Sequence, residues 1–431
     1  MLFRSEAAKL GGPVLTQFGA EKNGNADGTI PPYTGGLTKA PSNYKPGSGK
    51  WPDPFPMDKV LFSINAQNMD KYADKLTEGT KSFMKKYPSF RIDIYQTRRS
   101  VAYPQWVLDN TLKISTTAST YKGGLALKGA WGGIPFPIPK DAYEVMWNHL
   151  LRYEGRAGEF WSNTHTIDSN GRASLGGATY CWTELPYYDM KKVNSEFTYQ
   201  LRCHWQAPAR ISGDLYHITD PLNPAEKPRK SWQYLPGLRR VKLAPELAFD
   251  TPNPGGGGII LIDDLFNFGG SMERYNWKLI GKKEMYVPYN DYKINLVTAE
   301  QLFQPRHYNP DFVRWELHRV WIVEASLRPG KRHVYHKRRF YVDEDSWGCL
   351  AVENYDAHGN MYKYGLTFQT PMYEYPCPVL SGQFFADLIS QSYSANPWEG
   401  DIKGYRGFWK LTEPKDDKFW SPQGMLAEGI R

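Results

Sequence analysis

The chain has 431 residues, of which 41% are hydrophobic, 15% aromatic and 23% charged, a composition that excludes disorder on the scale of a domain and permits a sizeable core. Its 53 basic and 45 acidic residues leave a net charge of +8, with the two signs interleaved nearly everywhere. That is solubility charge, and no nucleic-acid partner is expected from it.

Residues 1–56 are rich in Gly, Pro, Asn and Thr and read as an extended arm laid over the body of the protein. Within it, NGNADG (Asn23 to Gly28) matches the start of a calcium loop, but Asn stands at the first ligand position and Thr34 at the twelfth, where a bidentate Glu is required. A plain turn is expected. From Met57 to Tyr87 the pattern is helical, with Met69, Tyr72, Ala73, Leu76, Thr80, Phe83, Met84 and Tyr87 at three- and four-residue spacing and Pro88 as the stop. Phe90, Ile92 and Ile94 then alternate with polar residues and predict the first strand. After the proline-studded run Trp131 to Pro139, Asp141 and Glu144 resemble a capping box. The helix they open carries Tyr143, Met146, Trp147, Leu150 and Leu151 on one face.

From Ala173 onward strands dominate. Cys181 and Cys203 lie in two strand-like runs, 178–188 and 196–207, joined by a turn around Met190 to Asn194. In a simple hairpin they sit nearly opposite, which allows a disulfide in an oxidising compartment; two separate buried thiols are the alternative. Trp232 and Tyr234, a turn at 235–238, and Val241 and Leu243 form a short two-stranded unit with one apolar face. Four glycines (Gly255 to Gly258) read as a flap or strand-edge loop. A second pair is predicted to turn at Gly281, with Tyr275, Trp277 and Leu279 on one face. Further strands are predicted at 314–327, 335–342, 347–355 and 361–369, and a short helix near Gln383 to Gln391. The elements assemble as a mainly β (α+β) fold, a large, strongly curved antiparallel sheet or half-barrel with a few helices. The arm is 1–56, a single domain 57–395, and a packed tail 396–431.

Catalytic signatures are missing. There is no GxSxG, HExxH or P-loop, and the cysteines lack metal spacing, so no enzyme activity, cofactor or metal is expected. Asp263-Asp264 and Asp343-Glu344-Asp345 can pair as acid and base, but acids at strand ends are common. His333, His336, Arg338 and Arg339 form either an anion site or a solvated basic strand face. What remains is aromatic surface. The candidate lining of an apolar cavity is Phe90, Ile92, Trp232, Tyr234, Tyr275, Trp277, Trp315 and Trp321, with Arg239 and Arg240 as headgroup or partner contacts. A sixteen-carbon chain buried there gains on the order of 12 kcal/mol before ordering costs.

Several long stretches carry a family resemblance: AEKNGNADGTIPPYTGGL, GGIPFPIPKDAYEVMWNHLLRYEG, SWQYLPGLRRVKLAPELAFDTPNPGGGG, WKLIGKKEMYVPYN and RRFYVDEDSW. They resemble the bacterial family catalogued as domain of unknown function 1329, whose fold is related to the lipoprotein carriers LolA and LolB. The W-x-Y-x-P-x-x-R-R-V pattern from Trp232 to Val241 is similar to that of other lipoprotein-sorting-like proteins. The resemblance implies helices against the concave side of the sheet and a periplasmic location, with the signal segment lying outside this sequence, whose N-terminus lacks an apolar core. It also implies a carrier of a lipid or other hydrophobic ligand, working with a resistance-nodulation-division-type transporter or an outer-membrane protein. The alternative is a non-carrier interaction or sensor protein with its concave face plugged.

Overall fold

The structure, a computed structural model, describes residues 2–46, 50–193, 196–398 and 409–429. Parts of the expected arm (Met1, 47–49), of the turn at 190–194 (Asn194) and of the tail (399–408, 430–431) lie outside the described residues. The strands, in chain order, are β1 (Phe62–Asn65), β2 (Arg91–Ile94), β3 (Ser119–Tyr121), β4 (Ala126–Lys128), β5 (Ala157–Ile167), β6 (Ala173–Glu184), β7 (Phe197–Ala207), β8 (Leu215–Pro221), β9 (Lys230–Leu235), β10 (Arg240–Leu243), β11 (Tyr275–Pro288), β12 (Arg314–Leu327), β13 (Lys337–Asp343), β14 (Cys349–Tyr355), β15 (Met361–Gln369), β16 (Leu380–Asp387), β17 (Ser392–Trp398) and β18 (Lys410–Leu411). The helices are α1 (Arg4–Ala7), α2 (Glu78–Lys86), α3 (Gln105–Ile114), α4 (Ala142–Leu150), α5 (Ala299–Leu302) and α6 (Pro422–Gly429).

Sixteen strands form one open sheet, β3 and β4 standing apart as a small hairpin. The order is β1-β2-β12-β13-β14-β15-β16-β17-β5-β6-β7-β8-β9-β10, with β11 on the other edge of β12 and β18 on β5. Among the described residues every strand pairing is antiparallel except that of β2 with β12, where Asp93 and Ile94 face Arg314 and Trp315. The predicted two-stranded unit is β9 and β10, with Tyr234 opposite Val241 and Trp232 opposite Leu243.

Successive residues of a strand point to opposite faces, and β14 uses this to hold both coverings of the sheet. Glu353 accepts the Gly79 N–H of α2 at 2.7 Å on one face. Asn354, on the other, accepts from Arg338, which reaches the segment 262–267. Helix α4 lies on this second side, where His149 Nε2 is 2.9 Å from the Phe268 carbonyl. Helices therefore pack against both faces of the sheet at β14.

Local chemistry explains where the elements depart from the sequence pattern. The helical pattern of 57–87 is broken into β1, a 3-10 turn at Met69–Lys75 and α2, because Thr77 adopts an extended conformation and caps α2 by accepting the Thr80 N–H at 2.9 Å. Helix α4 has its expected cap, Asp141 accepting the Glu144 N–H at 2.9 Å. Its Glu144 carboxylate reaches back to the Lys140 N–H, not to the cap residue. Gly281 is not a turn: at φ +146° it closes a β-bulge between Leu279 and Gly281 in which Ile280 is the extra residue, so that 275–288 runs as the single strand β11. The short helix expected near Gln383 is strand β16, and β5 and α3 appear where the pattern gave no element.

One large hydrophobic cluster joins Phe18, Ile30 and Trp51 of the arm to the sheet core. Trp347 Nε1 donates to the Phe18 carbonyl at 3.2 Å, and Arg99 Nη1 to the Glu21 carbonyl at 2.7 Å. The calcium-like stretch is a turn in which Asn25 Oδ1 accepts the Ile30 N–H.

Candidate functional site

Between β10 and β11 the chain does not turn directly. Residues 244–274 cross one face of the β5–β8 part of the sheet as a strap. Its apolar anchors Ala244, Leu247 and Ile262 pack with Tyr216 of β8. The polyglycine stretch lies so close to β6 that a Cβ at Gly176 would meet the Gly255 carbonyl oxygen at 2.0 Å, so only glycine fits there. Lys363 Nζ donates to the Ile259 carbonyl at 2.6 Å and to the Gly258 carbonyl at 3.2 Å. Asn267 Nδ2 donates to the Cys349 carbonyl at 2.8 Å.

Two apolar cavities lie beneath the strap on the same face of the sheet. The first, about 100 Å³, is walled by Trp147, Leu150 and Leu151 with Tyr199, Leu201 and Ile218. The second, about 90 Å³, is walled by Phe160, Trp205, Leu247 and Ile262, and by the disulfide between Cys181 and Cys203. These cysteines face each other in the β6–β7 register with Cα atoms 4.1 Å apart. Both cavities are bounded by Leu265 and Phe266 of the strap. Phe266 has φ +53° and ψ +36°, and Asn267 follows at φ +68°, two successive non-glycine residues in the left-handed region. The Arg152 guanidinium stands 4.7 Å from the Phe266 ring centroid.

The charged groups that line the first cavity are paired. Arg152 donates to both oxygens of Glu154 at 3.1 and 3.0 Å, and Arg229 Nη2 donates to Asp220 at 2.8 Å and to the Gly269 carbonyl at 3.1 Å. A wider depression of about 680 Å³ beside Trp106, Tyr153, Met190 and Tyr375 opens to solvent and includes the charged Arg156 and Glu413. It encloses no comparable apolar space.

The strap is held to the sheet by a buried ionic cluster. Arg338 donates to Asp263 at 3.2 Å, to Asp264 at 2.8 Å and to the Asn267 carbonyl at 3.1 Å. Burial pushes the Asp264 carboxyl up to about 6, the neighbouring Asp263 charge adding to it against the pull of Arg338. Burial acts on Asp263 too, but Arg338 and His333 outweigh it and hold that carboxyl below its ordinary value. His333 Nε2 lies 3.0 Å from Asp263, and its Nδ1 accepts the Tyr335 N–H at 3.0 Å. The second acidic run is equally committed. Asp345 accepts from Arg99 at 2.6 and 2.9 Å, Glu344 from Lys282 at 3.0 Å and Arg319 at 3.3 Å, and Asp343 from Ser346 and Tyr289.

These positions correct several expectations. The eight aromatic and aliphatic residues named as cavity lining wall neither cavity. Phe90 and Ile92 are fully buried, Phe90 against Phe83 at 4.8 Å. Trp315 and Tyr275 are core, with Tyr275 donating to the Tyr335 carbonyl. Trp277 stacks on Phe340 and Trp321 on Trp347, while Tyr234 and Trp232 pack under Met425 of α6. The physical reason is that both faces of this sheet are covered, so the space behind the aromatics is filled. Arg239 and Arg240 are exposed at the start of β10 and touch neither cavity. The His333/His336/Arg338/Arg339 run divides between two faces: His333 and Arg338 are buried against Asp263 and Asp264, while His336 is exposed and the half-buried Arg339 pairs with Glu324 at 2.8 Å. Leu265 and Phe266, which do wall the cavities, went unnoticed in the sequence; the one available signal was an apolar run placed after the glycines without strand alternation.

The described residues thus form an open, mostly antiparallel sheet bridged by a strap over paired apolar cavities, with no metal-ligating cluster and no membrane-crossing helix among them. The chain belongs to the family described as "Protein of unknown function (DUF1329)", which matches residues 63–426. It is 36% identical to "Uncharacterized protein PA3922" of Pseudomonas aeruginosa, over 99% of this chain and 94% of that protein. Among solved structures it is similar to an outer membrane lipoprotein-sorting protein domain from Vibrio parahaemolyticus (14% identity, TM-score 0.43, 66% of this chain and 97% of that one). It is also similar to a DUF1329 family protein from Desulfovibrio piger (12%, 0.42, 63% and 91%) and to the LolA superfamily protein NE2245 from Nitrosomonas europaea (11%, 0.40, 66% and 98%).

Proposed function

We propose that the protein binds a hydrophobic molecule in the cleft between the 244–274 strap and strands β5–β8, and carries it between partners in the bacterial envelope. The observation that carries this reading is the pair of apolar cavities on one sheet face, both bordered by Leu265 and Phe266 of the strap. The Cys181–Cys203 disulfide in the wall of the cleft fits an oxidising compartment such as the periplasm. Under this reading the ligand passes to or from a resistance-nodulation-division-type transporter or an outer-membrane protein.

The test is organic extraction and mass spectrometry of protein purified from a native host, with titration of the apo protein by a fluorescent fatty acid. A stoichiometric lipid, or saturable uptake that shifts the unfolding midpoint, is the expected result. Lipid-free protein with no uptake overturns the reading. A second reading, a docking protein with its cleft plugged, draws support from the small size of each cavity beside the roughly 300 Å³ at which ligand pockets begin. Recovery of a membrane partner by ligand-free protein favours it.

A further inference from the structure

Two neighbouring voids, each too small for a ligand, pose a definite question: whether the wall between them is fixed. Five residues border both voids, Tyr199, Leu201 and Ile218 from the sheet and Leu265 and Phe266 from the strap. Leu265 has extended ψ (127°), Phe266 and Asn267 are left-handed, and the short helix at 262–267 is kinked across them. Left-handed non-glycine residues at successive positions store backbone strain that is relieved if the segment flips. On one side the segment is fixed by Arg338, which holds Asp263, Asp264 and the Asn267 carbonyl. The half-buried Phe266 ring rests against the main core with Arg152 over its face, and the residue's backbone N–H makes a 3.3 Å hydrogen bond to Gln383 Oε1. A swing of this ring joins the two voids along Tyr199, Leu201 and Ile218, which border both, and adds the volume the ring vacates.

The two ends of the joined channel differ in chemistry. The far end, at Trp205, Leu247 and the disulfide, is almost wholly apolar, whereas the near end carries Arg152–Glu154 and Arg229–Asp220. Both guanidinium groups already hold a carboxylate, so an entering anion finds its countercharge taken, while a hydroxyl or ester can still share a hydrogen bond.

We infer that Phe266 is a gate between the two cavities, and that the channel it opens takes one unbranched alkyl or acyl chain ending in an uncharged polar group, the chain reaching Trp205 and the polar end resting by Arg229 and Arg152. This rests on the reading that the cleft binds a hydrophobic ligand. It adds the shape and charge of that ligand and the residue that selects it.

The experiment is displacement of fluorescent phenylnaphthylamine by octanol, dodecanol and dodecanoate, in the wild type, Phe266→Ala and Phe266→Trp. Dodecanol should displace the probe more strongly than octanol by about tenfold or more, and more strongly than dodecanoate. Phe266→Ala should strengthen dodecanol binding while leaving octanol nearly unchanged, and Phe266→Trp should abolish the preference for the longer chain. Should Phe266→Ala fail to fold, as judged by its unfolding midpoint, Phe266→Trp decides alone. Equal displacement by the two alcohols in every variant, or preference for the carboxylate, overturns the inference while leaving a hydrophobic site in place. No binding of the probe or of any chain by any variant overturns the underlying reading instead.

Discussion

Replacing Arg338 by methionine tests whether the strap is held electrostatically. The guanidinium is fully buried and donates to Asp263, Asp264, the Asn267 carbonyl and Asn354 Oδ1 at 2.8 to 3.2 Å. Methionine keeps most of the volume but leaves two buried carboxylates without their cation, and breaking a buried pair from one side costs about 3–5 kcal/mol. The cost must depend on pH. Without Arg338, burial and mutual repulsion raise both carboxyls, Asp264 starting from its already elevated value of about 6. A carboxyl whose folded-state value lies above its unfolded one binds protons preferentially in the folded state, so its contribution is present at low pH and lost as pH rises through the raised value. The deficit of Arg338→Met against wild type should therefore grow from mildly acidic to alkaline pH. Urea unfolding across that range measures it, and adding Asp263→Asn with Asp264→Asn should remove most of the pH dependence. A deficit below about 1 kcal/mol, or one that is flat with pH, would refute the argument that the strap is pinned by charge.

Three more perturbations probe other parts of the structure. Cys181→Ser with Cys203→Ser opens a loop of sequence separation 22 and should lower stability by about 3 kcal/mol, a loss that reductant reproduces in the wild type but not in the variant. Gly176→Ala drives a Cβ against the Gly255 carbonyl and should cost about 1–3 kcal/mol, with faster proteolysis at 254–258; an unchanged urea midpoint would count against the close approach. Glu344 has its carboxyl raised from 4.5 to about 7 by burial, with the charge of Asp345 adding, while Lys282, Arg319 and Arg99 face it with opposite charge. Because the folded value is the higher one, wild-type stability relative to Glu344→Gln should fall as pH rises from about 4.5 through 7, measured by thermal unfolding in a pH series; a difference that rises with pH would reverse the assignment.

The sequence made local features readable where a single chemical signal decided them. Alternation about the turn at 235–238 is enough to set Tyr234 opposite Val241, and the spacing of Cys181 and Cys203 about one hairpin is enough to bring them face to face. Asp141 announced α4 because a carboxylate before an apolar period has a backbone donor to satisfy. Gly281 misled because positive φ serves a bulge as well as a turn, and only the partner strand β12 distinguishes them. The candidate lining failed for a related reason. Alternation identifies which residues share a face, as with Tyr275 and Trp277, but is silent on whether that face meets a void or another layer. Here α4, the strap and the arm supply the layer. The cavities depend on Leu265 and Phe266 in a segment with no regular period, where pattern reasoning has nothing to measure.

The sheet's connectivity bears on how such a chain can be made. Strand β2 finds its neighbour in β12, and Ile167 of β5 is matched by Tyr393 of β17, so the early strands await residues from the last third of the polypeptide. A nascent or half-threaded chain thus presents raw strand borders with nothing to zip onto, which delays closure and invites sticking to other chains.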